Sequence, residues 1–388
     1  MSDRAREKRF RVLFLTRKWP PAVGGMETYS RELATDLAPL VNLTVRALPG
    51  CSDGRPPSLL LLANFVLCSA IFLYWHKHDY DVVHLGDFAL FPLAWWHALW
   101  APQAVRLITV HGLDLLYANR AGFKPALYRL FVGWAQKRRR AVNHFIANSR
   151  HTAILCENAG FSPVAVVTLG VRPKTNMDSS MSDCLPNERY VLFVGRLVHR
   201  KGAKWFAENV LPQLPEDVKF YVVGKTWDLG EKQGISDNPR VCILGYLPDE
   251  QLRLVQRKAC AIVMPNIKSE DSTDVEGFGL VALEAAMSGV PLVASDIEGI
   301  RDAVRHEETG FLVQAENVQA WVSQLSTILE WGLPVRRRFG DTAVESLKRY
   351  FSWSRVARET AELYRRCLLN KREESPSCFS SFEKTNAV

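Results

Sequence analysis

The chain has 388 residues, 47% of them hydrophobic, and its 49 Lys and Arg against 41 Asp and Glu leave a net charge of +8. That length argues against a single globular unit and predicts two domains with real cores. The positive surplus attracts phosphates, whether on nucleotides, nucleic acids or lipid head groups, and does not choose among them. Eight cysteines, at 51, 68, 156, 184, 242, 260, 367 and 378, form no C-x-x-C pair and have no His cluster beside them. Neither a disulfide framework nor zinc is indicated, and the thiols read as reduced.

The chain opens MSDRAREKRF, charged, and Val12 to Leu15 add only a brief apolar run, so no secretory signal and a cytoplasmic location are expected. Arg11 to Thr16 reads as a buried strand, and Pro20-Pro21-Ala22-Val23-Gly24-Gly25 turns the chain into a helix, Met26 to Leu37. Such a loop lets backbone approach a ligand closely, although the GxGxxG dinucleotide fingerprint is absent. Leu59 to Trp75 is almost unbroken apolar sequence, at the lower edge of length for a membrane span. It falls between strands at 41–47 and 82–85, so a crossover helix buried against a parallel sheet, with an outer side that could touch lipid, fits better than a span. Phe88, Phe91, Trp95, Trp96 and Trp100 follow and read mostly as core, some of them alternatively as interfacial anchors.

Leu107 to Val110 is the next strand, ending in His111-Gly112-Leu113-Asp114, where a parallel strand delivers side chains to a ligand crevice. Tyr128 to Arg140 sets aromatic and aliphatic groups beside the run Lys137 to Arg140, which suits either an anionic bilayer surface or a core helix with a solvated basic end. The other basic clusters are Arg4 to Arg11, Arg196 with His199 to Lys201, and Arg336 to Arg338. No helix-turn-helix, RNP or zinc-finger spacing accompanies them, so no nucleic-acid partner is expected. Strands at 143–148 and 164–168, with a helix from Ser149 to Ala159 between them, complete a Rossmann-like first domain over 1–170. Residues 171–189, without periodicity, read as a linker.

Tyr190 to Val194 begins a second sheet, and Gly195-Arg196-Leu197 leads to Lys201-Gly202 ahead of a helix near 203–210. Two cations after a parallel strand suit a diphosphate, with Arg196 as a fork and Lys201 as a point charge, and His199 and Arg200 as solvated neighbours. Strand-then-Gly endings recur at Gly224 and Gly245. The stretch Pro265 to Gly299 then reads strand end, acidic loop, Gly-rich turn, helix, strand: Gly277-Phe278-Gly279 opens a helix at Leu280 to Met287, and a strand follows at 290–294. Bare backbone N–H groups and the positive end of a helix dipole after such a turn take phosphate oxygens. Glu276 in the loop and Glu284 in the helix frame it as hydrogen-bond acceptors for sugar hydroxyls, on different parts of a ligand.

Glu276-Gly-Phe-Gly, Glu284 and the following Ala-rich helix with Gly-Val-Pro-Leu-Val-Ala resemble the retaining glycosyltransferases of family 4. Departures are a longer polar insert, Lys268 to Asp274, and Glu298-Gly299 where many members have Gly-Gly. The resemblance spans about 10–370 and implies the α/β GT-B fold, two Rossmann-like domains facing a central cleft, with a C-terminal helix at 352–369 crossing back to the first domain and a polar tail at 370–388 read as disordered. It makes 1–170 the acceptor domain and 190–351 the nucleotide-sugar domain. It also implies that Gly24 and Gly25 face the donor phosphates, that His111, helped by Asp114, contacts the donor sugar, and that Arg196 and Lys201 neutralise the leaving pyrophosphate. By the same resemblance Glu276 turns toward the sugar and Glu284 holds the ribose, with Gly277, Phe278, Gly279 and Leu280 completing the donor site.

The expected activity is retaining transfer of a hexose from a nucleotide-diphosphate sugar to an acceptor hydroxyl, on a lipid-linked or surface glycan at the inner face of the cell membrane. No metal or other cofactor is expected, since no DxD motif accompanies the cations. Two alternatives stand beside it. A nucleotide-sugar epimerase shares the two-domain plan and would act on donor alone, and a catalytically idle nucleotide-binding subunit would keep the fold and lose the site.

Overall fold

The structure is a computed structural model and describes residues 9–22, 24–51, 57–172, 188–268 and 277–373. The chain divides into two compact units, the first running through Val167 and taking in the last helix from Trp353, the second spanning Thr168–Ser352.

The first unit is built on β1 (Arg11–Trp19), β2 (Asn42–Pro49), β3 (Val82–Leu85), β4 (Val105–Val110), β5 (His144–Ala147) and β6 (Val164–Val166). All pair in parallel, in the order β2-β1-β3-β4-β5-β6. Between them come α1 (Gly25–Leu37), α2 (Leu59–Trp75), α3 (Phe91–Trp100), the single turn α4 (Leu113–Leu116), α5 (Phe123–Lys137) and α6 (Arg150–Asn158). Val12 to Leu15 and the whole of β3 and β4 are buried, the polar His84, Arg106 and Thr109 included, as in parallel strands covered on both faces. Ser149 caps α6 by accepting a hydrogen bond from the Thr152 amide at 3.0 Å.

Two expectations change here. The helix at 59–75 forms, but only Ser69 and Leu73 on it are buried. Seventeen nearly all-apolar residues offer more hydrophobic surface than the one stripe that packs on α3, so the rest faces outward. Of the aromatic run, Phe88 and Phe91 are core, Trp95 and Trp96 are half-buried and Trp100 is exposed.

The second unit has β7 (Arg189–Val194), β8 (Val218–Val223), β9 (Val241–Gly245), β10 (Ala261–Met264), β11 (Leu292–Ser295) and β12 (Phe311–Val313), again parallel, in the order β12-β11-β10-β7-β8-β9. Its helices are α7 (Ala203–Trp205), α8 (Leu229–Ser236), α9 (Asp249–Lys258), α10 (Leu280–Met287), α11 (Ile300–Ala303), α12 (Val318–Leu329) and α13 (Leu333–Tyr350). The expected helix at 203–210 leaves α geometry after one turn for a π-helical turn, Phe206–Val210. The strand expected from residue 290 starts at Leu292. Phe193, Phe206, Phe220 and Trp321 fill the core beneath this sheet.

The last helix, α14 (Trp353–Glu373), belongs to the first unit, where the Tyr364 hydroxyl reaches His84 Nδ1 at 2.5 Å and Lys371 Nζ donates to the Ala104 carbonyl at 2.8 Å. It continues past residue 369, so residues 370–373, read from sequence as tail, are helical, with Lys371 tied to the residue just before β4. Most of the expected linker, 173–187, and the tail from 374 lie outside the described residues.

Candidate functional site

In the second sheet the chain builds β7, β8 and β9 toward one edge and then returns to place β10 on the other side of β7. Open parallel sheets bind ligands beyond the carboxyl ends of their strands at such a reversal, here between β7 and β10. Arg196 and Lys201 follow β7, and the stretch 265–280 follows β10.

Arg196 is exposed, and its guanidinium lies 4.9 Å from the centre of the Trp227 ring. Its neighbour Leu197 is buried and pinned to the loop after β8, donating to the Lys225 carbonyl at 3.0 Å and accepting from the Trp227 amide at 3.2 Å. His199, Arg200 and Lys201 form a 3₁₀ turn. His199 is solvated and meets Glu231 through Nδ1 at 3.0 Å, but Arg200, expected to be solvated too, is buried along with Lys201. The turn is stitched to the chain leaving β10, the Arg200 carbonyl accepting the Ile267 amide at 3.1 Å. Gly202 has φ 69°, and a Cβ there would lie 1.8 Å from the Pro265 carbonyl oxygen. Lys201 is thus held on a loop pressed against the chain leaving β10.

At the far end of that stretch Phe278 and Gly279 are buried, and Gly279, at φ 85°, turns the backbone into α10. The Phe278 ring sits 6.4 Å from that of Phe351. Ala282, Leu283, Ala285 and Ala286 face inward, which leaves Glu284 on the exposed side of α10. Glu276 and residues 269–274 of the polar insert lie outside the described residues. The structure therefore brings Arg196, Lys201, Gly277 to Leu280 and Glu284 to one end of one sheet. Trp227 and Tyr246, each about 65% exposed, stand at that end too, with Lys225 Nζ 5.5 Å from the Tyr246 ring. Sequence reasoning found the strand-then-Gly endings before them but named no side chain there. An aromatic residue after a Gly is a weak signal until the pairing of β7, β8 and β9 makes these loops neighbours.

The first unit has its own reversal between β1 and β3. Gly24 and Gly25 open α1 there, the Gly24 carbonyl accepting the Thr28 amide at 2.9 Å, while Val23 lies outside the described residues. His111, at the end of β4, is 7% exposed. Its Nε2 is 2.9 Å from the Gly86 carbonyl, and a carbonyl can only accept, so Nε2 carries the proton and Nδ1 keeps a lone pair when the ring is neutral. Asp114 accepts the His111 backbone N–H at 3.2 Å, so it fixes the loop without touching the ring. Burial pushes the Asp114 carboxyl above the usual carboxylate range, against the pull of His111 and Arg17.

Beneath His111 runs a buried polar chain. The Tyr29 hydroxyl meets Thr109 Oγ1 at 2.7 Å, Thr109 meets His84 Nε2 at 2.8 Å, and His84 Nδ1 meets Tyr364. The Tyr29 ring also stands edge-on to His111 at 5.0 Å. Burial, and secondarily His111, drive His84 down to about 3, so it is neutral at physiological pH. The Lys137 to Arg140 run divides: the Arg138 guanidinium lies over both the Trp95 and the Trp134 rings, at 5.4 and 5.0 Å, while Lys137, Arg139 and Arg140 are exposed. Among the described residues no three His, Cys, Asp or Glu side chains gather as they would around an ion.

Family comparison agrees with this arrangement of two parallel sheets. Residues 188–330 match the family model described as glycosyl transferases group 1, and residues 23–175 match the one described as glycosyltransferase family 4. The chain belongs to glycosyltransferase family 4. Among curated relatives of this family 4 chain, the D-inositol 3-phosphate glycosyltransferase of Corynebacterium glutamicum is 32% identical over 197 residues, 47% of this chain and 44% of that protein. The match thus spans less than half the length of that relative. Two solved structures share the fold. The sucrose-phosphate synthase of Thermosynechococcus elongatus superposes with a TM-score of 0.70 at 22% identity, covering 93% of this chain and all of the other. HepE of Anabaena, determined in complex with UDP and glucose, gives 0.66 at 21% identity, covering 92% of this family 4 chain and all of HepE. The fold is therefore GT-B, α/β with two Rossmann-like domains.

Proposed function

We propose that this family 4 glycosyltransferase moves a hexose from a nucleotide-diphosphate sugar to the hydroxyl of a lipid-linked or surface glycan at the inner membrane face, with retention and without a metal. The observation that carries the reading is the stitched pair of loops at the β7 and β10 reversal. It holds Lys201 on a loop fixed against the chain leaving β10, in the same β7 loop as Arg196, and α10 opens at Gly279 without a side-chain cap. Breaking the anomeric C–O bond builds positive character on the sugar and negative charge on the diphosphate, and fixed cations and backbone dipoles stabilise that charge without reorganising. The exposed faces of Trp227 and Tyr246 suit a nucleobase, in keeping with the UDP held by HepE.

In the reaction we favour, the bond from the anomeric carbon to the diphosphate oxygen breaks, and the acceptor oxygen bonds to that carbon on the same face. The acceptor's proton passes to the departing phosphate oxygen. This route needs no protein nucleophile, which suits a family whose members lack an agreed one. His111 Nδ1, the ring nitrogen not engaged by the Gly86 carbonyl, is assigned to a sugar hydroxyl, and Glu284 to the ribose. A screen of nucleotide sugars by donor hydrolysis, followed by trials of lipid-linked and soluble glycan acceptors, tests the proposal. Transfer to an acceptor supports it, whereas a donor epimerised with no acceptor present, or no turnover of any donor, sinks it.

A further inference from the structure

We infer that the outer face of α2, with the end of α3 and a cationic cavity beside them, seats the protein on an anionic lipid bilayer, a step that names the surface behind the membrane-face part of the proposed function and rests on it. Residues 60, 64, 67, 71 and 75, at helical spacing, run along the exposed side of α2. Leu60 is 83% exposed, Leu67 61%, Ile71 50% and Trp75 76%. These four are large apolar groups, interrupted along the row only by the exposed Asn64, and solvated helices rarely present such a row unless it is covered. The face continues onto α3, where the Trp96 indole donates to the Ala70 carbonyl at 3.0 Å and the exposed Trp100 ring meets Tyr74 at 5.0 Å.

Charge selects the occupant. Neither α2 nor α3 contains an Asp or Glu. Where the two helices end, Lys77 Nζ lies 4.8 Å over the Tyr74 ring and lines a cavity of about 300 Å³ together with Arg11, His78, Lys371 and Arg372, with Asp81 as the one carboxylate. An apolar row with aromatic groups at its end and a cationic hollow beside it suits acyl chains next to a headgroup phosphate. A second copy suits it less. α2 is roughly 26 Å long, so its outer stripe offers on the order of 300 Å², well short of the ~800 Å² each partner of a stable dimer buries, and a two-fold contact would tend to face like charges. No helix among the described residues is long and apolar enough to cross a membrane, which leaves α2 to lie in the interface plane.

The test is flotation of the full chain with vesicles of phosphatidylglycerol and phosphatidylcholine, against vesicles of phosphatidylcholine alone. The parent should float with the anionic vesicles and bind the neutral ones roughly tenfold more weakly or worse. Leu67→Glu with Ile71→Glu, and separately Lys77→Glu, should each weaken anionic binding by roughly tenfold or more, while thermal melting and donor hydrolysis in vesicle-free solution stay at the parent level. Failure of the parent to float, or flotation of both variants like the parent, overturns the inference. So does a parent dimer that the Leu67 and Ile71 changes turn into monomer without altering flotation. Donor hydrolysis is read without vesicles, so a chain that hydrolyses donor but ignores lipid loses only this inference, and one that floats but turns over no donor loses only the proposed reaction.

Discussion

Gly202 lies so close to Pro265 that a Cβ on the glycine would sit 1.8 Å from the proline's carbonyl oxygen. Backbone cannot yield there as the end of a flexible side chain could, so the Lys201 loop and the chain leaving β10 must separate if anything larger is introduced. Gly202→Ala should cost about 2–4 kcal/mol in urea unfolding and weaken nucleotide diphosphate binding by roughly tenfold, since strain and clash add. Gly245→Ala is the control. It too has a positive φ, 69°, but nothing lies within 4 Å of the added carbon, so only about 1 kcal/mol should be lost and binding retained. Equal behaviour of the two variants would mean that the contact with Pro265 does not hold the site.

The buried histidines of the first unit make its stability depend on acid. His84 is held down to about 3 by burial and His97 to about 4 by burial and Arg106, against an ordinary value of 6.5. Between those values the unfolded chain takes up protons that the folded unit refuses, so stability falls as pH drops from about 6.5 and is unaffected by these groups above it. The slope is at most about 1.4 kcal/mol per pH unit for each histidine. His84→Gln should be less stable at neutral pH, having lost its bonds to Thr109 and Tyr364, yet show a shallower fall between pH 6.5 and 4.5. Urea melts across that range decide it, and an unchanged slope would clear His84 of the effect.

The diphosphate is proposed to be met by side-chain cations and backbone amides. Transfer measured after exhaustive treatment with EDTA should therefore stay within a factor of about two of the untreated rate. Activity abolished by the chelator and restored by Mg²⁺ or Mn²⁺ would refute that part of the account.

Much of this fold is legible in the sequence because parallel strands buried on both faces leave uninterrupted apolar runs, as at Val12 to Leu15 and Val191 to Phe193. The helix from Leu280 to Met287 is legible for another reason, a glycine turn before it and Ser288-Gly289 after it. Features made by contacts far apart in the chain are not. Arg200 looks like a surface cation in the run His199 to Lys201 and is buried, on a turn whose carbonyl takes the amide of Ile267, sixty-seven residues on. The proton on His111 Nε2 is fixed by Gly86, twenty-five residues away. A helix apolar all round, such as α2, carries no periodic signal of which side meets the sheet, so its outward leucines could not be told from its inward ones.

The central claim is that the stretch from Pro265 to Gly299 and the loop after β7 form the donor site, and donor saturation curves for two glutamate variants test it most directly. Glu284→Ala should raise the donor KM with a smaller loss of kcat, because a ribose contact is present in both ground and transition states. Glu276→Gln, which the family resemblance turns toward the sugar, should lower kcat by ~10²-fold or more with little change in KM, because its interaction grows as the anomeric centre becomes cationic. Parent kcat in Glu276→Gln, or parent donor KM in Glu284→Ala, would contradict the account.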